Sequence, residues 1–498
     1  MNTLPALSRD TIAAIATPPG QGGIAVLRIS GADALAVLSC VFSPGPGKAL
    51  PDGLLTLTPR YLYYGNAFDE GGVCLDEVLA VYMPGPNSFT GEDVCEISCH
   101  GGMAVSAALL ASVLAAGARL AEAGEFTRRA FLNGRMDLAQ AEAVAEIIAA
   151  PSREGVRLAK AKLDGALGHV VQTVRRQLDA MRIEVTLCVD FPDEGAQLLP
   201  GSSFGLALAD CRKAIAALLE AFERARLWRE GAQVVLAGSV NAGKSSLLNA
   251  LLGRPRAIVS STPGTTRDYI EESVNIHGIP VRVVDTAGLR SGGDIVEEEG
   301  IRRTGDLVDE ADFVLLVLDA SREHCPEDRD FLCRCVERVK QGSLLIVCNK
   351  LDSPELAEGY GKPEEKAGQA GKLLWEAAFG DTQSALGVKE PPCLAVSART
   401  GEGIDALCDA LFTRLFGAHA QGGADNAGDI APNLRQAGLL KQAGRELDAL
   451  AAALDSRIPP DMLGVHLEEA AAALAGVTGA SGTEELYDAI FSTFCIGK

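Results

Sequence analysis

The segment GSVNAGKS, residues 238–245, has the glycine and lysine spacing of a phosphate-binding loop. It follows an apolar run, QVVLAG, and precedes SSLLNALLG, which has the composition of a helix. In that position backbone N–H groups can surround phosphate oxygens, Lys244 can reach the β and γ phosphates, and Ser245 can bind Mg²⁺. A chance match in a glycine-rich turn is the alternative, and the flanking elements argue against it. The nucleotide contacts predicted in this loop are Asn241, Ala242, Gly243, Lys244, Ser245 and Ser246.

Three later segments complete a guanine nucleotide site: DTAG at 285–288, NKLD at 349–352 and SAR at 397–399. The carboxylate of Asp352 can accept hydrogen bonds from N1–H and the 2-amino group of guanine, whereas adenine would leave it unpaired. Such a mismatch discriminates by a factor on the order of 10⁴. NKLD alone is also a good turn, but the order of the segments predicts guanine. The predicted contacts are Asp285, Thr286, Ala287, Gly288, Asn349, Lys350, Asp352, Ser397, Ala398 and Arg399.

The segment SSTPGTT, 260–266, lies between the phosphate loop and DTAG, where a second Mg²⁺ ligand is expected. Thr266 is the candidate for that ligand, beside Ser245. The predicted nucleotide contacts here are Ser260, Ser261, Thr262, Pro263, Gly264, Thr265 and Thr266. Together the motifs predict a module that binds and hydrolyses GTP.

Leu289 follows DTAG at the position where many GTPases place a glutamine that aligns the attacking water. The loop 239–242 also contains no arginine, so charge compensation is expected from other groups. The side-chain oxygen of Asn241 and the carbonyls of 260–265 could together hold a monovalent cation, although an asparagine in an ordinary turn is the alternative. For water alignment the candidates are Glu297, Glu298 and Glu299, which also fit an acidic first turn of a helix. The residues alone do not choose among them.

The composition of the chain limits the class of protein. Its 498 residues are 47% hydrophobic and 22% charged, which predicts about three domains, with no run approaching the ~18 apolar residues of a membrane span. The N-terminus MNTLPALSRD lacks the features of a secretory signal. Thirteen cysteines in no repeating framework fit reduced thiols in a cytoplasmic protein. A net charge of −21 means that an RNA partner would need a local basic patch or a second protein.

The pattern of elements predicts a multidomain fold. Residues 1–134 alternate strands such as GGIAVLRIS, DEVLAVY and DVCEISCHGG with a helix at MAVSAALLASVLAAG, which indicates an α+β domain. Residues 135–229 and 419–498 are predicted to be the two parts of an all-α helical domain. Residues 230–418 form an inserted α/β domain with five buried strands: QVVLAG, VRVVDTAG, DFVLLVLD, LLIVCNK and PCLAVS.

The sequence pattern is more specific in three segments: 152–190, 356–392 and TEELYDAIFSTF. Segment 152–190 keeps one face apolar over about seven turns. The polar segment 356–392 is predicted to be a surface excursion with one helix at KLLWEAAF. TEELYDAIFSTF is predicted to be an amphipathic helix that docks through Leu486, Ile490 and Phe494. The apolar face of 152–190 comprises Leu163, Leu167, Val170, Val174, Leu178, Met181, Val185 and Cys188.

The flanking motifs TPPGQGGIAVLRISG, PGPNSFTGEDVCEISCHGG, GEFTRRAFLNGRMDLAQAEAVAEII and the terminal FCIGK resemble the MnmE (TrmE) family of tRNA modification GTPases. The resemblance covers essentially the whole chain. It implies a tetrahydrofolate-binding N-terminal domain, a helical domain and an inserted G domain activated by K⁺. It also implies a homodimer that works with the FAD enzyme MnmG. Together these proteins attach an aminomethyl-type group, with folate supplying the one-carbon unit, to carbon 5 of the wobble uridine of certain tRNAs.

The resemblance also assigns roles to individual residues. It places the water-orienting glutamate at Glu297, which selects one of the three candidates. The implied K⁺ ligands are Asn241, Ser260, Thr262 and Thr265, and the implied Mg²⁺ ligands are Ser245 and Thr266. The implied folate contacts are Arg28, Glu96, Arg135 and Lys498. Surface charges at Arg28 and Arg135, and a solvent-facing strand residue at Glu96, are the alternatives.

Cys495 is the last predicted site residue, since a docked helix would hold FCIGK in place and bring this thiol near the one-carbon unit. The alternative is an inert, buried thiol beside Phe494. The sequence is also compatible with two other functions. One is a K⁺-dependent GTPase switch in ribosome assembly, which would have no use for Arg28 or Cys495. The other is a folate-binding module with a degenerate G domain, against which the intact GKS and NKLD motifs argue.

Overall fold

The computed structural model describes residues 10–45, 49–50, 53–191, 202–253, 270–285, 305, 307–322, 325–354, 363–379, 390–420, 430–456 and 458–497. The chain divides into two compact units. Unit 1 comprises Met1–Ala149, Leu158–Phe222 and Ile430–Lys498, and unit 2 comprises Ala150–Arg157 and Glu223–Asp429. The domain boundaries given above at 134, 229 and 418 stay predictions.

The strands are β1 (Ile12–Ile15), β2 (Ile24–Ser30), β3 (Phe42–Pro44), β4 (Leu62–Phe68), β5 (Cys74–Met83), β6 (Val94–His100), β7 (Arg119–Leu120), β8 (Ala232–Ala237), β9 (Ile270–Ile276), β10 (Ile279–Asp285), β11 (Phe313–Asp319), β12 (Leu344–Asn349) and β13 (Cys393–Ala395). The helices are α1 (Ala34–Val41), α2 (Met103–Ala115), α3 (Glu125–Leu132), α4 (Leu138–Ala149), α5 (Arg153–Leu163), α6 (Ala166–Asp190), α7 (Ser203–Glu230), α8 (Lys244–Leu252), α9 (Pro326–Arg334), α10 (Val336–Lys340), α11 (Pro363–Phe379), α12 (Ile404–Ala420), α13 (Leu434–Asp455), α14 (Pro460–Thr478) and α15 (Glu484–Phe491).

Unit 1 begins with a sheet whose described strands run in the order β3-β4-β5-β6-β2-β1-β7. Neighbouring strands are antiparallel except β1 and β7, which are parallel. Leu27, Ile29 and Ile97 alternate with half-buried residues and pack against Leu38 of α1 and Leu109 of α2. This period of two leaves the other face of β2 and β6 free to carry polar side chains.

The rest of unit 1 is helical. Residues from α6, α7, α13 and α14 share one apolar core, which includes Leu178, Ile215, Leu447 and Leu467. Helix α13 begins with a capping box in which the Asn433 side chain accepts a hydrogen bond from the backbone N–H of Gln436. The apolar face predicted for 152–190 is confirmed from Leu167 onward, with Val171 rather than Val170 fully buried.

Segment 152–190 is not one continuous helix. Gly165 has a φ of 88° and separates α5 from α6. Only glycine enters this left-handed region without strain, so the chain changes direction here. The apolar periodicity continues through Gly165, which is why the sequence pattern did not reveal the break.

Unit 2 contains a sheet of described strands in the order β13-β12-β11-β8-β10-β9. All neighbouring pairs are parallel except β9 and β10. The two faces carry separate apolar clusters, one around Leu236 and Val283 and the other around Leu316 and Ile346. The five strands predicted from the sequence are confirmed. Strand β9 was missed, because its alternation of polar and apolar residues is that of a sheet edge rather than of a buried strand.

Helix α11 corrects the prediction that 356–392 is a surface excursion. The helix runs over Pro363–Phe379, well beyond KLLWEAAF, and Leu374, Trp375 and Phe379 are buried in the core of unit 2. Its apolar residues occupy one stripe of an otherwise polar helix. The polar average of the segment therefore hid a face that belongs to the core.

Candidate functional site

The phosphate loop of unit 2 is formed by backbone geometry as much as by side chains. Strand β8 ends at Ala237, and Gly238, Asn241 and Gly243 all have positive φ, of 134°, 64° and 94°. A Cβ at Gly238 would lie 2.2 Å from the Val317 carbonyl oxygen. The loop can therefore turn tightly against β11 before α8 begins at Lys244.

Lys244 and Ser245 lie where a nucleotide's phosphates and metal are expected. The Lys244 ammonium donates to the carbonyl oxygens of Gly238 and Ser239 at 2.9 and 2.8 Å. The Ser245 hydroxyl donates to Oδ2 of Asp285, the last residue of β10, at 2.6 Å. A hydroxyl and a carboxylate at the phosphate end of the loop are oxygen ligands of the kind that Mg²⁺ prefers. These residues fit a magnesium site at which the ion would neutralise phosphate charge.

Asn349, at the end of β12, connects the phosphate loop to the predicted base-binding loop. Its Nδ2 donates to the Ala242 carbonyl oxygen at 3.1 Å, and its Oδ1 accepts from the Ala398 N–H at 3.0 Å. The side chain is 1% exposed. It also lies so close to Gly243 that a Cβ there would be 2.2 Å from Nδ2. One buried amide thus fixes both loops.

The carboxylate of Asp352 lies beside the SAR segment, as expected for guanine recognition. Ser397 donates a hydrogen bond to Oδ1, and the Arg399 Nε lies 2.5 Å from Oδ2. The Ser397 hydrogen bond, helped by the Arg399 charge, lowers the pKa of the Asp352 carboxyl. Arg399 is exposed, so its ion pair can open when a base arrives.

Three residues that support the loops were not predicted from the sequence. The buried Asp328 accepts a hydrogen bond from the Ser239 N–H at 2.8 Å. Arg322 donates to the Val240 carbonyl oxygen at 3.0 Å. Asp319, at the end of β11, is 2.7 Å from the Lys350 ammonium, and the hydrogen bonds from Lys350 and Ser321 outweigh burial and lower its pKa. An aspartate at the end of an apolar strand, in LLVLDAS, was the signal that could have found the last of these.

Several predicted site residues lie outside the described residues. Asn241 is described and exposed, but its proposed partners in a K⁺ site are not. Of the two predicted Mg²⁺ ligands, Ser245 is described and Thr266 lies outside the described residues. The predicted residues outside the description are Ser260, Ser261, Thr262, Pro263, Gly264, Thr265, Thr266, Thr286, Ala287, Gly288, Glu297 and Lys498.

A second group of predicted residues meets in unit 1. Arg28 on β2 is directly opposite Glu96 on β6, and Arg28 Nε is 2.8 Å from Glu96 Oε1. Arg28 Nη1 also donates to the Gly497 carbonyl oxygen at 3.2 Å. Its guanidinium lies 5.4 Å from the ring centroid of Phe89 and 5.7 Å from that of Phe126. A charged pair beside two aromatic rings and a chain end can contact a ligand that has both a flat ring and polar edges.

Arg135 contacts the loop that carries Phe89. Its Nε donates to the Ser88 carbonyl oxygen at 3.1 Å, and Asn133 Nδ2 donates to the Thr90 carbonyl oxygen at 2.7 Å. Arg28 and Glu96 are therefore a partly buried ion pair, whereas Arg135 is exposed and is linked to this group only through the Ser88 carbonyl. Phe89, Phe126 and the Gly497 carbonyl are members of this group that the sequence reasoning missed.

The C-terminal tail is held in place, and the predicted docking face is confirmed in part, because Phe494 is buried and Ile490 packs against the same cluster. The buried residues are Tyr487, Phe491 and Phe494, which pack with Phe131, whereas Leu486 and Ile490 are half-buried. The burial stripe is one residue away from the predicted one, because the aromatic residues rather than the aliphatic ones face the core. Tyr487 also donates to the Gly479 carbonyl oxygen at 2.8 Å.

Cys495 is exposed, which contradicts the alternative of a buried, inert thiol. Its carbonyl oxygen accepts from the Gly124 N–H at 3.4 Å, and Ile496 pairs with Ala123. Gly497 has a φ of 91°, and a Cβ there would lie 2.6 Å from the Ile15 carbonyl oxygen. The backbone on both sides of the thiol is thus fixed while the thiol itself faces solvent.

A parallel sheet with a phosphate loop after its first strand, an aspartate after β10 and a guanine-reading carboxylate after β12 defines a P-loop GTPase. None of the helices that the structure describes combines the length and apolar character that a membrane crossing requires. Residues 11–135 match the family model described as GTP-binding protein TrmE N-terminus, and residues 138–495 match that of the MnmE helical domain.

Relatives along the whole chain agree with these matches. The tRNA modification GTPase MnmE of Nitratidesulfovibrio vulgaris (strain DP4) is 49% identical, covering 98% of this chain and 99% of the relative. Proteins with the same name from Lawsonia intracellularis and Clostridioides difficile are 40% and 38% identical, each covering 98% of this chain and 100% and 99% of the relative. The chain therefore belongs to the MnmE family of tRNA modification GTPases. It is a GTP hydrolase that acts in tRNA modification.

Proposed function

We propose that this GTPase is stimulated by K⁺ and works as a homodimer with an FAD-dependent MnmG protein. The pair adds an aminomethyl or carboxymethylaminomethyl group to C5 of the wobble uridine of certain tRNAs, using a one-carbon unit from a tetrahydrofolate derivative. The observation that carries the proposal is the group formed by Arg28, Glu96 and the Gly497 carbonyl in a chain that also has a complete guanine-reading set. A GTPase that acted only as a switch would have no use for that group.

The Arg28 group suits the parts of a folate. The rings of Phe89 and Phe126 offer apolar contact for a pterin, and the carboxylate of Glu96 can accept from its ring N–H and amino groups. Arg135 supplies a cation for the negatively charged tail. When bound, the folate would supply the one-carbon unit, and Cys495 is the exposed thiol on the fixed tail segment next to Gly497.

The cation proposal rests on the phosphate loop. Asn241 is exposed and its backbone is left-handed, and its side-chain oxygen is the cation ligand that we assign in this loop. We assign Ser260, Thr262 and Thr265 as the remaining K⁺ ligands, and Ser245 and Thr266 as the Mg²⁺ ligands. Glu297 orients the attacking water, and K⁺ supplies the positive charge that an arginine provides in other GTPases.

Nucleoside analysis of tRNA tests the proposal. A strain lacking this protein should lose the modified wobble uridine, and the wild-type gene should restore it. A gene with Arg28→Ala should fail to restore it although the protein still binds GDP. Unchanged wobble uridine in the deletion strain would contradict the proposed reaction.

Tetrahydrofolate binding provides an independent measurement. The wild-type protein should bind a reduced folate, and Arg28→Ala should weaken that binding at least tenfold, because a charged hydrogen-bonding group is lost. Arg182→Ala is a control, since Arg182 lies in the same unit and its described side-chain partners are the exposed carboxylates of Asp179 and Glu468. Equal folate affinity of wild type and Arg28→Ala would remove the folate assignment but leave the GTPase intact.

A further inference from the structure

Two thiols lie close together in the sheet of unit 2, on the strands that precede the NKLD and SAR segments. The Sγ atoms of Cys348 on β12 and Cys393 on β13 are 3.3 Å apart, and neither cysteine is in a disulfide. Cys348 pairs with Ala395 and Cys393 with Ile346, so the two cysteines are diagonal neighbours on one face of the sheet. A disulfide requires the sulfurs to approach to about 2.05 Å. The sulfurs therefore need to move only roughly 1 Å closer.

The surroundings distinguish the two thiols. The hydrogen bond between them lowers the pKa of Cys393, while the same bond and burial raise the pKa of Cys348. Cys393 is also partly exposed, whereas Cys348 is fully buried. A thiolate is the reactive form of cysteine, so Cys393 is the member of the pair that reacts first with an oxidant.

Gly371 of α11 lets the helix close over the pair. A Cβ at this position would lie 2.7 Å from the Cys393 sulfur. The helix can therefore pack over the pair without a side chain that blocks the approach of one sulfur to the other. By contrast, the buried Cys335 of the same unit has a pKa raised to about 12 by desolvation, which makes it unreactive.

The pair is connected to nucleotide recognition through short stretches of chain. Asn349, which holds the phosphate loop and the SAR loop, directly follows Cys348. Ser397, which bonds Asp352, lies four residues after Cys393. Pulling β13 toward β12 changes the spacing between these hydrogen-bonding groups.

We propose that Cys348 and Cys393 are an oxidation site, that a peroxide converts them to an intramolecular disulfide, and that this bond weakens guanine nucleotide binding. The Cys393 thiolate attacks a peroxide oxygen, the O–O bond breaks, and Cys393 sulfenic acid and hydroxide form. The Cys348 thiol then attacks the Cys393 sulfur. The S–S bond forms, the S–O bond breaks, and water leaves with the proton of Cys348. The hydroxide takes up the proton that Cys393 lost when its thiol ionised. Two thiols thus lose two electrons in total, and hydrogen peroxide is reduced to two waters.

The first experiment treats the reduced full-length protein with hydrogen peroxide and then blocks the remaining thiols with N-ethylmaleimide. Peptide mapping without reduction should yield a crosslinked peptide that contains Cys348 and Cys393. The Kd for fluorescent GDP should rise about tenfold, as expected for the loss of a hydrogen bond, and dithiothreitol should restore it. Oxidation confined to the exposed Cys40, Cys74, Cys333 or Cys495, with Cys348 and Cys393 still blocked by the reagent, would overturn the proposal.

Two variants separate this site from the other cysteines. Cys393→Ser should form no crosslink, and its Kd for GDP should not respond to peroxide. Cys333→Ser removes an exposed thiol of the same unit and should keep both responses. A crosslink without any change in the Kd would show that the pair is oxidised but does not affect nucleotide binding, which contradicts the second half of the proposal.

A measurement on the wild-type protein alone guards against a variant that fails to fold. Coupling between two equilibria is reciprocal, so GDP must disfavour the disulfide by the same factor of about ten. The dithiol–disulfide equilibrium is measured against reduced and oxidised glutathione, with and without saturating GDP. An equilibrium constant that GDP does not change would refute the coupling. Neither outcome depends on the folate or K⁺ proposals.

Discussion

Asn241 shows how a side chain and a backbone conformation can be tested separately. Its φ of 64° is one that asparagine and glycine adopt more readily than most other residues. Replacement by alanine would remove the side-chain oxygen and also strain the loop. Replacement by glycine removes the oxygen alone.

We therefore expect Asn241→Gly to abolish the stimulation of GTP hydrolysis by K⁺ while changing the Kd for GDP by less than about threefold. Turnover is measured in equal concentrations of KCl and NaCl. Wild type should be much faster in KCl, because Na⁺ is too small to be held well by the same oxygens. If the wild-type rate of GTP hydrolysis is the same in KCl and in NaCl, K⁺ does not stimulate this GTPase.

Glu297 is tested against its neighbour in sequence. Glu297→Ala should lower kcat by about 10² or more with little change in nucleotide affinity, because a group that orients water acts mainly in the transition state. Glu298→Ala is the matched control and should retain most of the activity. Single-turnover GTP hydrolysis measures both, and an equal loss in the two variants would reject the assignment.

Among the elements, α11 departs most from expectation, since a polar segment contributes a buried tryptophan. Trp375 is 2% exposed and packs against Phe379 in a tilted arrangement, with ring centroids 4.4 Å apart. Its indole N–H is buried and has no hydrogen-bond partner among the described residues. The described helix Pro363–Phe379 is therefore part of the core of unit 2 rather than of a surface excursion.

Trp375→Ala should lower the free energy of unfolding of unit 2 by about 3–5 kcal/mol, because it leaves a large cavity. Trp375→Phe should cost less than half as much, since the ring remains and an unsatisfied N–H is removed. Leu373→Ala, at an exposed position of the same helix, should change it by less than about 0.5 kcal/mol. Hydrogen exchange of the β12 amides measures all three. Equal hydrogen-exchange protection of the β12 amides in Trp375→Ala and Leu373→Ala would show that the helix does not contribute to the core.

The sequence predicted those elements whose burial is uniform or strictly periodic. Strands β11 and β12 are buried throughout, β8 and β10 are buried except at one polar residue each, and β2 and β6 alternate over most of their length. Strand β9 was missed because it alternates polar and apolar residues as a sheet edge does, and the break at Gly165 was missed because the apolar periodicity continues through it. The same limit applies to the site: motifs located Lys244 and Asp352, but Asp328 and Phe89 act only through tertiary contacts.

At the scale of the whole molecule, the two candidate sites belong to different compact units. The guanine-reading residues lie in unit 2, and Arg28, Glu96 and Cys495 lie in unit 1. A change in one unit's side chains can therefore remove one activity without unfolding the other.

Cys495→Ser is expected to leave K⁺-stimulated GTP hydrolysis unchanged while removing modification of the wobble uridine in vivo. The thiol is exposed on a fixed backbone, so a serine hydroxyl of similar size should not disturb the fold. Cys40→Ser, at another exposed position of unit 1, is the control and should retain the modification. Normal nucleoside levels in Cys495→Ser would leave this thiol without a chemical role.

The double attachment of Asn349 has a consequence for the design of altered nucleotide preference. Asn349 cannot be exchanged without loosening the phosphate loop, because the amide that faces the SAR loop also bonds the Ala242 carbonyl. Asp352 bonds only Ser397 and Arg399 among its described side-chain partners. Asp352→Asn should therefore convert the protein to a xanthine nucleotide binder, since the new amide N–H can pair with the 2-oxo group of xanthine. The Kd values for xanthosine diphosphate and GDP should exchange their order by about 10² or more, which would give an orthogonal substrate for following this GTPase among the others of a cell.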